Sequence, residues 1–268
     1  MSPAPEEGRT LRLDLEYDGS GFVGWQDQAE GRTVQGTLAS AMGTLLQEEA
    51  APVGSGRTDA GTHALGQVAH ARVRSSMEAD RILRGLNALL PEDVAVLRVL
   101  DVPPGFHARY GALGKRYRYR IDTARHALGR HAVWTLQRQL DLEPMAEAAA
   151  GLRGTLDFRA FCKADPPPES YACRIDAAEW RRRGHRWSFE IEADRFLRHM
   201  VRALVGTLVE VGQGRRSPRR FLELLEGADR SLAGSTSPAK GLCLLRVRYP
   251  EEVGGASGPE TLESPGAL

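Results

Sequence analysis

The sequence predicts an α+β protein made of two α+β halves. Strand-like and helix-like patterns alternate over the first hundred residues, and the second half repeats this alternation loosely. Apolar residues make up 41% and charged residues 26% of the 268 residues, which is typical of a globular chain. This length is sufficient for a substantial core.

In the first half, Leu11, Leu13 and Leu15 alternate with charged residues, which predicts a half-buried strand over 10–17. Thr33 is a suitable N-cap for a helix that reaches about Glu48. The other predicted elements are a strand over 66–74, a helix over 77–90 that ends before Pro91, and a strand over 94–102.

In the second half, aromatic residues at period two predict a strand over 115–122, and Asp141 is a suitable cap for a helix from Leu142. Arg183-Gly184 indicates a hairpin turn between strands. The remaining predictions are an apolar helix over 195–211, a helix from Ser217-Pro218 to about Leu225, and a closing strand over 242–249.

These patterns predict four segments: a disordered N-terminus (1–9), a first half (10–104), a second half (105–249) and a disordered acidic tail (250–268). The proline-rich stretch 163–170 is expected to be a mobile loop.

The net charge is +1, but the charges are unevenly distributed. The two termini, 1–8 and 250–268, carry six glutamates and no basic residue, so without them residues 9–249 have a net charge of +7. This arginine-rich body suits a nucleic-acid partner, although a general preference for arginine explains the composition equally well.

Other features of the sequence exclude several classes. Three scattered cysteines support neither disulfides nor a cysteine metal site, and His63, His70, His107 and His199 lack metal-ligand spacing. We therefore expect no metal. No apolar run is long enough to cross a membrane and no secretory signal is present, so we expect a cytoplasmic protein with no membrane association.

The most informative segment is a loop over 54–63 that holds three glycines, one guanidinium (Arg57) and one carboxylate (Asp59). It lacks the lysine of a P-loop and the glycine order of a dinucleotide fold. Asp59 is thus a candidate catalytic acid on a tightly turned loop, and the alternative is an aspartate that caps its own turn.

Together with several ordered motifs, this loop resembles the catalytic signature of the TruA family of tRNA pseudouridine synthases. The resemblance covers about 11–249 and includes Tyr17–Ser20, Gly24–Gln26, Val34-Gln35, Ser55–His63, Gly66–His70, Asn87, Leu90-Pro91, Phe106–Arg109, Lys115–Tyr119, Phe196 and His199–Arg202. It implies the pseudouridine-synthase fold, in which two α+β halves share a mostly antiparallel central sheet with helices packed on it. Ser55 stands where the family usually has alanine, which is a small change.

The resemblance implies that Asp59 is the catalytic carboxylate, acting as nucleophile or general base. A partly buried carboxylate needs a neighbouring cation to stay ionised, and the family pattern assigns that position to Arg202. The alternative places Arg202 on a solvated helix face with Arg195 and Arg198.

The resemblance also implies that Arg57 contacts the RNA and helps to extrude the target base, whereas a loop-bracing role is the alternative. Tyr117 is expected to belong to the catalytic set with Asp59 and Arg202 and to stack on the uracil, and Tyr119, on the same strand face, to be core. For Phe196 a pocket wall and a core role are equally open. His63 and Arg116 complete the implied substrate-binding set.

The implied activity is isomerisation of uridines 38, 39 and 40 in the anticodon arm of tRNA by a homodimer. Because this isomerisation gains and loses no atoms and involves no redox step, we expect no cofactor. The rival functions are a non-catalytic RNA-binding protein on the same scaffold and a hydrolase of nucleosides or sugars. The hydrolase class usually needs paired acids.

Overall fold

The computed structural model describes residues 8–163, 166–227 and 229–259. The described residues form two compact units. The first unit contains the residues up to Leu113 together with those from Leu244 onward, and the second spans Gly114–Cys243. The chain therefore divides about nine residues later than the predicted boundary, and its C-terminal strand joins the first unit.

Five α-helices and ten strands occur in the described part of the chain. In order they are β1 (Arg9–Tyr17), α1 (Val34–Leu46), β2 (Val53–Gly54), β3 (His63–Val73), α2 (Ala79–Leu89), β4 (Val94–Val102), β5 (Gly114–Asp122), β6 (Trp134–Thr135), α3 (Leu142–Ala150), β7 (Gly154–Asp157), β8 (Ala172–Arg183), β9 (Arg186–Ala193), α4 (Met200–Gly212), α5 (Pro218–Leu222) and β10 (Leu242–Arg248).

The first unit is built on strands in the order β4-β1-β3-β10, with β2 paired to β3. β1 runs antiparallel to both β3 and β4. Leu11, Leu13 and Leu15 are fully buried, and α2 packs against both α1 and β4. The Thr33 hydroxyl accepts a hydrogen bond from the Gly36 amide and caps α1 as predicted.

The polar face of β1 is also buried, which differs from the predicted half-buried strand. Arg12 is fully buried and Asp14 is 3% exposed. Arg12 Nε lies 2.8 Å from Asp14 Oδ1, and Arg98 Nη2 lies 2.7 Å from Asp14 Oδ2. These paired charges satisfy one another, so the face tolerates burial.

Residues 250–259 help to bury that polar face, although they begin the predicted disordered tail. Arg12 Nη1 donates to the Val253 carbonyl (2.6 Å), and Arg98 Nη2 donates to the Gly254 carbonyl (2.8 Å). The Ser257 hydroxyl is buried and donates to the Gly66 carbonyl at 2.7 Å. These contacts hold the segment on the first unit. The rest of the predicted tail, 260–268, lies outside the described residues, as does 1–7 of the predicted disordered N-terminus.

The second unit is built on strands in the order β5-β9-β8-β7, with β6 parallel to β5. β8 and β9 form the predicted hairpin, and Gly184 in its turn has φ +62°. α3 packs against α4, α5 and β8. Asp141 caps α3 as predicted, and its carboxylate accepts from the Glu143 amide. Of the predicted mobile loop, 164–165 lie outside the described residues.

The apolar helix of the second unit begins at Met200 rather than at the predicted Arg195. His199 has φ +63°, which is incompatible with helix continuation and sets the N-terminal boundary. Arg195 and Arg198 therefore precede α4 and are exposed. The predicted α+β class is confirmed, with mostly antiparallel strands and helices in each unit.

Candidate active site

The loop that carries Asp59 is held by backbone hydrogen bonds on both sides. The Ser55 amide donates to the Val68 carbonyl of β3 at 2.7 Å. The Trp25 amide donates to the Thr58 carbonyl at 3.1 Å, and Gly24 forms an isolated β-bridge with Asp59. The backbone of Asp59 is therefore fixed against the segment before α1.

Buried polar side chains brace the same loop from beneath. The Tyr17 hydroxyl lies 2.8 Å from Thr58 Oγ1, and Gln67 Nε2 donates to the Gly56 carbonyl at 2.9 Å. Gln67 is fully buried and Tyr17 is 4% exposed. Hydrogen bonds between buried polar groups are costly to break, so this bracing stabilises the observed conformation of the loop.

Two glycines allow the close approach of the loop to its support. Gly24 has φ +117°, and a Cβ there would lie 2.9 Å from the Thr58 carbonyl oxygen. A Cβ on Gly54 would lie 2.5 Å from the indole of Trp25, which is 2% exposed and belongs to the core. Only glycine fits both positions without displacement.

The two candidate functional side chains of the loop differ in exposure. Asp59 is half-buried, whereas Arg57 is exposed. Among the described residues, no hydrogen bond or ion pair engages the Arg57 guanidinium, which argues against the loop-bracing alternative. A braced loop thus presents a half-buried carboxylate and a solvent-facing cation two residues apart.

His63 lies at the end of the loop and is 8% exposed. Its Nδ1 accepts from the Gly19 amide at 3.1 Å and lies 3.1 Å from Asp18 Oδ1. The ring therefore packs against the turn that follows β1. This contact joins the end of the motif loop (54–63) to that turn.

In the second unit, Tyr117 and Phe196 lie together. Their rings are edge to face, with centroids 5.1 Å apart and planes at 87°. Tyr117 is 7% exposed and Phe196 is half-buried. Tyr119, two residues along β5, is fully buried, and its hydroxyl donates to the Pro238 carbonyl at 2.7 Å, so its predicted core role is confirmed. Burial raises the pKa of Tyr119 above its usual range.

Arg202 lies in the first turn of α4 and is half-buried. Its Nε donates to the Ser237 carbonyl at 2.8 Å, and its own carbonyl accepts from the Ser237 amide at 3.1 Å. This paired contact orients the guanidinium. No sequence pattern indicates it, because Ser237 lies in an irregular segment 35 residues away.

Arg116 and its neighbour on β5 are engaged in ion pairs with β9. Arg116 Nη2 lies 2.6 Å from Glu192 Oε2, and Arg118 Nε lies 3.0 Å from Glu190 Oε1. Arg116 is about one-third exposed as a side chain. Its role in RNA binding stays a prediction, and the ion pair fixes where its charge lies.

The described residues contain no group of three or more histidine, cysteine, aspartate or glutamate side chains placed to hold a metal ion. The same residues contain no helix with the length and apolar character needed to cross a membrane.

Comparison with known proteins assigns the family. The family model described as tRNA pseudouridine synthase matches residues 15–111 and 148–250. The chain belongs to this family. Its enzymes are isomerases, so the predicted enzyme class is confirmed, and so is the resemblance inferred from the motifs.

Curated relatives of the pseudouridine synthase family agree over almost the whole chain. The tRNA pseudouridine synthase A of Moorella thermoacetica is 45% identical, over 89% of this chain and 99% of the relative. That of Chloroflexus aurantiacus is 47% identical, over 90% and 89% respectively. That of a Geobacter species is 42% identical, over 91% and 100%.

Proposed function

We propose that this pseudouridine synthase isomerises uridines 38, 39 and 40 in the anticodon arm of tRNA, with Asp59 as its catalytic carboxylate. The observation that carries the proposal is the braced loop of the first unit. It holds one half-buried carboxylate beside an exposed arginine in a chain that belongs to the tRNA pseudouridine synthase family.

The reaction requires little more than such a carboxylate. The bond from ribose C1′ to uracil N1 breaks, a bond from C1′ to C5 forms, the C5 proton leaves and N1 gains a proton. Asp59 either attacks to form a covalent adduct or removes a sugar proton to give a glycal-like intermediate. Both routes balance without a cofactor.

The remaining roles follow from the chemistry of each side chain. Arg57 is exposed and suited to contact the RNA backbone and occupy the space that the extruded base leaves, which offsets part of the extrusion cost of a few kcal/mol. Tyr117, backed by Phe196, is suited to stack on the uracil. His63 and Arg116 complete the proposed substrate-binding set, with Arg116 held by its ion pair with Glu192.

Arg202 is proposed to supply the cation that favours the ionised carboxylate. Arg202 is half-buried and its Nε donates to the Ser237 carbonyl, which fits that role better than a solvated surface role does. Arg202→Met is expected to lower kcat at least tenfold, which corresponds to about 1.4 kcal/mol of transition-state stabilisation. RNA affinity should stay within about threefold of wild type. An unchanged kcat would contradict the assignment.

We also propose that the enzyme acts as a cytoplasmic homodimer. This rests on the resemblance to the family and on a tRNA substrate. Light scattering of the purified chain measures the mass directly, and a monomer at micromolar concentration would contradict it.

The position of the product tests the proposed function. A tRNA transcript with uridine at 38, 39 and 40 is incubated with the enzyme, and carbodiimide adducts of pseudouridine are mapped by primer extension. We expect stops only at those positions, and none in a transcript with cytidine there. Stops elsewhere would refute the position, free uracil would indicate the hydrolase, and binding without stops the non-catalytic alternative.

A further inference from the structure

Tyr110 is the only aromatic residue among the large apolar side chains that the described residues leave exposed. It is 76% exposed and follows the Phe106–Arg109 motif in the first unit. Neither the core of the unit nor the proposed chemistry uses it. A large aromatic ring on the surface is costly in water and is a common feature of binding sites.

The turn that carries Tyr110 is held in place by buried neighbours. The Ala108 amide donates to His70 Nδ1 at 3.2 Å, and the Tyr249 hydroxyl donates to the Ala108 carbonyl. Phe106 is 9% exposed and packs on the Tyr249 ring, with centroids 5.3 Å apart. Since these contacts anchor the turn, the exposed ring is presented in a defined place.

Aromatic rings continue from this buried support to the surface. The His70 and His107 rings lie 4.6 Å apart, and the His107 and Tyr110 rings lie 4.4 Å apart with planes at 37°. His107 Nδ1 accepts from the Arg109 and Tyr110 amides at 3.1 and 3.3 Å, which fixes its ring. The Tyr110 ring thus packs on a His107 ring that is already held in place.

A positive charge accompanies the exposed ring. The Arg109 guanidinium carbon lies 5.5 Å from the Tyr110 ring centroid, and Arg109 is exposed. No ion pair engages Arg109 within the described residues. An aromatic face beside an arginine is the combination that binds unpaired nucleobases, because the base stacks while the cation attracts the phosphate.

His70, His107, Arg109 and Tyr110 form one cluster, the Tyr110 cluster. It is also connected to the motif loop within the first unit. His70 lies opposite Val53 in the pairing of β2 with β3 and hydrogen-bonds its carbonyl. β2 leads directly into the segment that carries Arg57 and Asp59. The Tyr110 ring therefore belongs to the same unit as the loop at which the RNA is proposed to bind.

We propose that Tyr110 and Arg109 form a stacking site for an unpaired nucleobase of the bound RNA, separate from the uridine that reacts. The inference deepens the proposed function and rests on RNA being the substrate. The turn rigidity, the exposed ring and the adjacent cation carry it. Stacking on the Tyr110 ring is expected to tolerate any nucleobase, since every base offers a stacking face.

Binding and fluorescence measurements test the site without relying on catalysis. The probe is a 17-nucleotide anticodon stem-loop RNA in which 2-aminopurine replaces each loop nucleotide in turn. Fluorescence reports stacking and anisotropy reports affinity for wild type, Tyr110→Ala, Tyr110→Phe and Arg109→Gln. Leu97→Ala serves as a control because Leu97 is an exposed apolar residue, at 45%, on another strand of the same unit.

We expect binding to quench the fluorescence of 2-aminopurine at one position of the RNA loop, and Tyr110→Ala to abolish this quenching. The affinity of Tyr110→Ala for the RNA should fall about 5- to 150-fold, the equivalent of about 1–3 kcal/mol per stacked base. Tyr110→Phe keeps the ring and should stay within about twofold. Arg109→Gln should weaken binding and reduce its salt dependence. Leu97→Ala should resemble wild type.

The possible failures are distinguishable. If wild type forms pseudouridine but Tyr110→Ala binds and quenches like wild type, the stacking site is refuted and the proposed function stands. If wild type binds with Tyr110-dependent quenching but forms no pseudouridine, the site stands and the proposed function fails. If Tyr110→Ala instead changes the oligomeric mass by light scattering, the ring serves contact between copies and the proposal is overturned.

Discussion

At the scale of single residues, the candidate site depends on how the Asp59 backbone is fixed. Gly24 bridges Asp59, and the Tyr17 hydroxyl meets Thr58 one residue earlier. The first of these contacts needs a residue without a side chain, and the second needs a buried hydroxyl partner. The position of the carboxylate is thus set by neighbours that do no chemistry.

Gly24→Ala should therefore impair both stability and activity. The new Cβ would lie 2.9 Å from the Thr58 carbonyl oxygen at φ +117°, so the loop must shift. We expect a loss of about 1–3 kcal/mol in the free energy of unfolding and at least a tenfold loss in kcat. Urea denaturation and steady-state kinetics measure the two effects.

Gly214→Ala is the matched control, because Gly214 also has positive φ (+70°) but a Cβ added there would meet no atom within 4 Å. It should cost some stability and leave kcat unchanged. Equal effects of the two variants on kcat would contradict the importance of the Gly24 bridge.

His70 should make the stability of the first unit depend on pH. Burial lowers the pKa of His70 and the nearby His107 lowers it further, while the hydrogen bond to the Val53 carbonyl opposes the shift. The unfolded chain takes up a proton near the ordinary pKa of about 6.5 before the folded chain does. Stability is therefore complete above that pH and is lost as the pH falls toward the folded pKa.

The variant His70→Gln should show a smaller loss of unfolding free energy between pH 7 and pH 5 than wild type does. His185→Gln, which changes an exposed histidine in the second unit, should retain the wild-type dependence. Identical pH profiles for wild type and His70→Gln, measured by urea denaturation, would disprove the role of this imidazole.

At the scale of elements, α4 is positioned by an unusually close backbone contact. A Cβ on Gly206 would lie 1.8 Å from the Ser235 carbonyl oxygen. The segment that touches the helix here continues to Ser237, whose carbonyl orients Arg202. The small residue in the helix therefore sets the position of the segment that holds Arg202.

Gly206→Ala is expected to destabilise the protein by about 3 kcal/mol or more, at the upper end for overpacking, and to reduce kcat. Gly43→Ala in α1 is the matched control, since a Cβ there meets only the Glu48 carbonyl oxygen at 3.7 Å. Removing a helical glycine there should stabilise by about 0.5–1 kcal/mol. Destabilisation of both variants by the same amount in urea would contradict the explanation.

At the scale of the whole molecule, charge distribution rather than net charge governs RNA binding. Residues 9–249 carry +7 although the full chain carries +1. Exposed arginines such as Arg57 and Arg109 can replace counterions on the RNA backbone.

The logarithm of the association constant for a tRNA transcript should therefore fall linearly with the logarithm of the salt concentration. Six phosphate contacts would weaken binding about 10³-fold between 50 and 200 mM salt. Filter binding at five salt concentrations measures the slope. Denaturation measured at the same salt concentrations checks that unfolding of the protein does not cause the loss of affinity. A slope near zero would contradict an electrostatic interface.

Local signals make much of this fold predictable. Thr33 and Asp141 have cap side chains whose partners lie two or three residues away, and β4 has the predicted bounds. Non-local features have no such signal. β7 exists through pairing with β8, and the burial of the charged face of β1 depends on residues 250–259, which are more than 230 positions away.

The site shows the same division. The glycines of the loop form a local signal and the order of the motifs can be read directly from the sequence, and together they indicate the loop, Asp59 and Arg57. The Ser237 contact of Arg202 and the exposed Tyr110 cluster depend on chain packing, which no local pattern encodes. Apolar periodicity continues through His199, a residue with positive φ, so the pattern predicts a start of α4 that is five residues too early.

Single-turnover loss of tritium from C5-labelled uridine in tRNA tests most directly whether the Asp59 carboxylate performs the chemistry. Asp59→Asn keeps the shape and removes the charge. We expect its rate to fall about 10⁴-fold or more with RNA affinity within about threefold of wild type, while Asp101→Asn, at an exposed carboxylate, retains the wild-type rate. A rate for Asp59→Asn within tenfold of wild type would contradict the account.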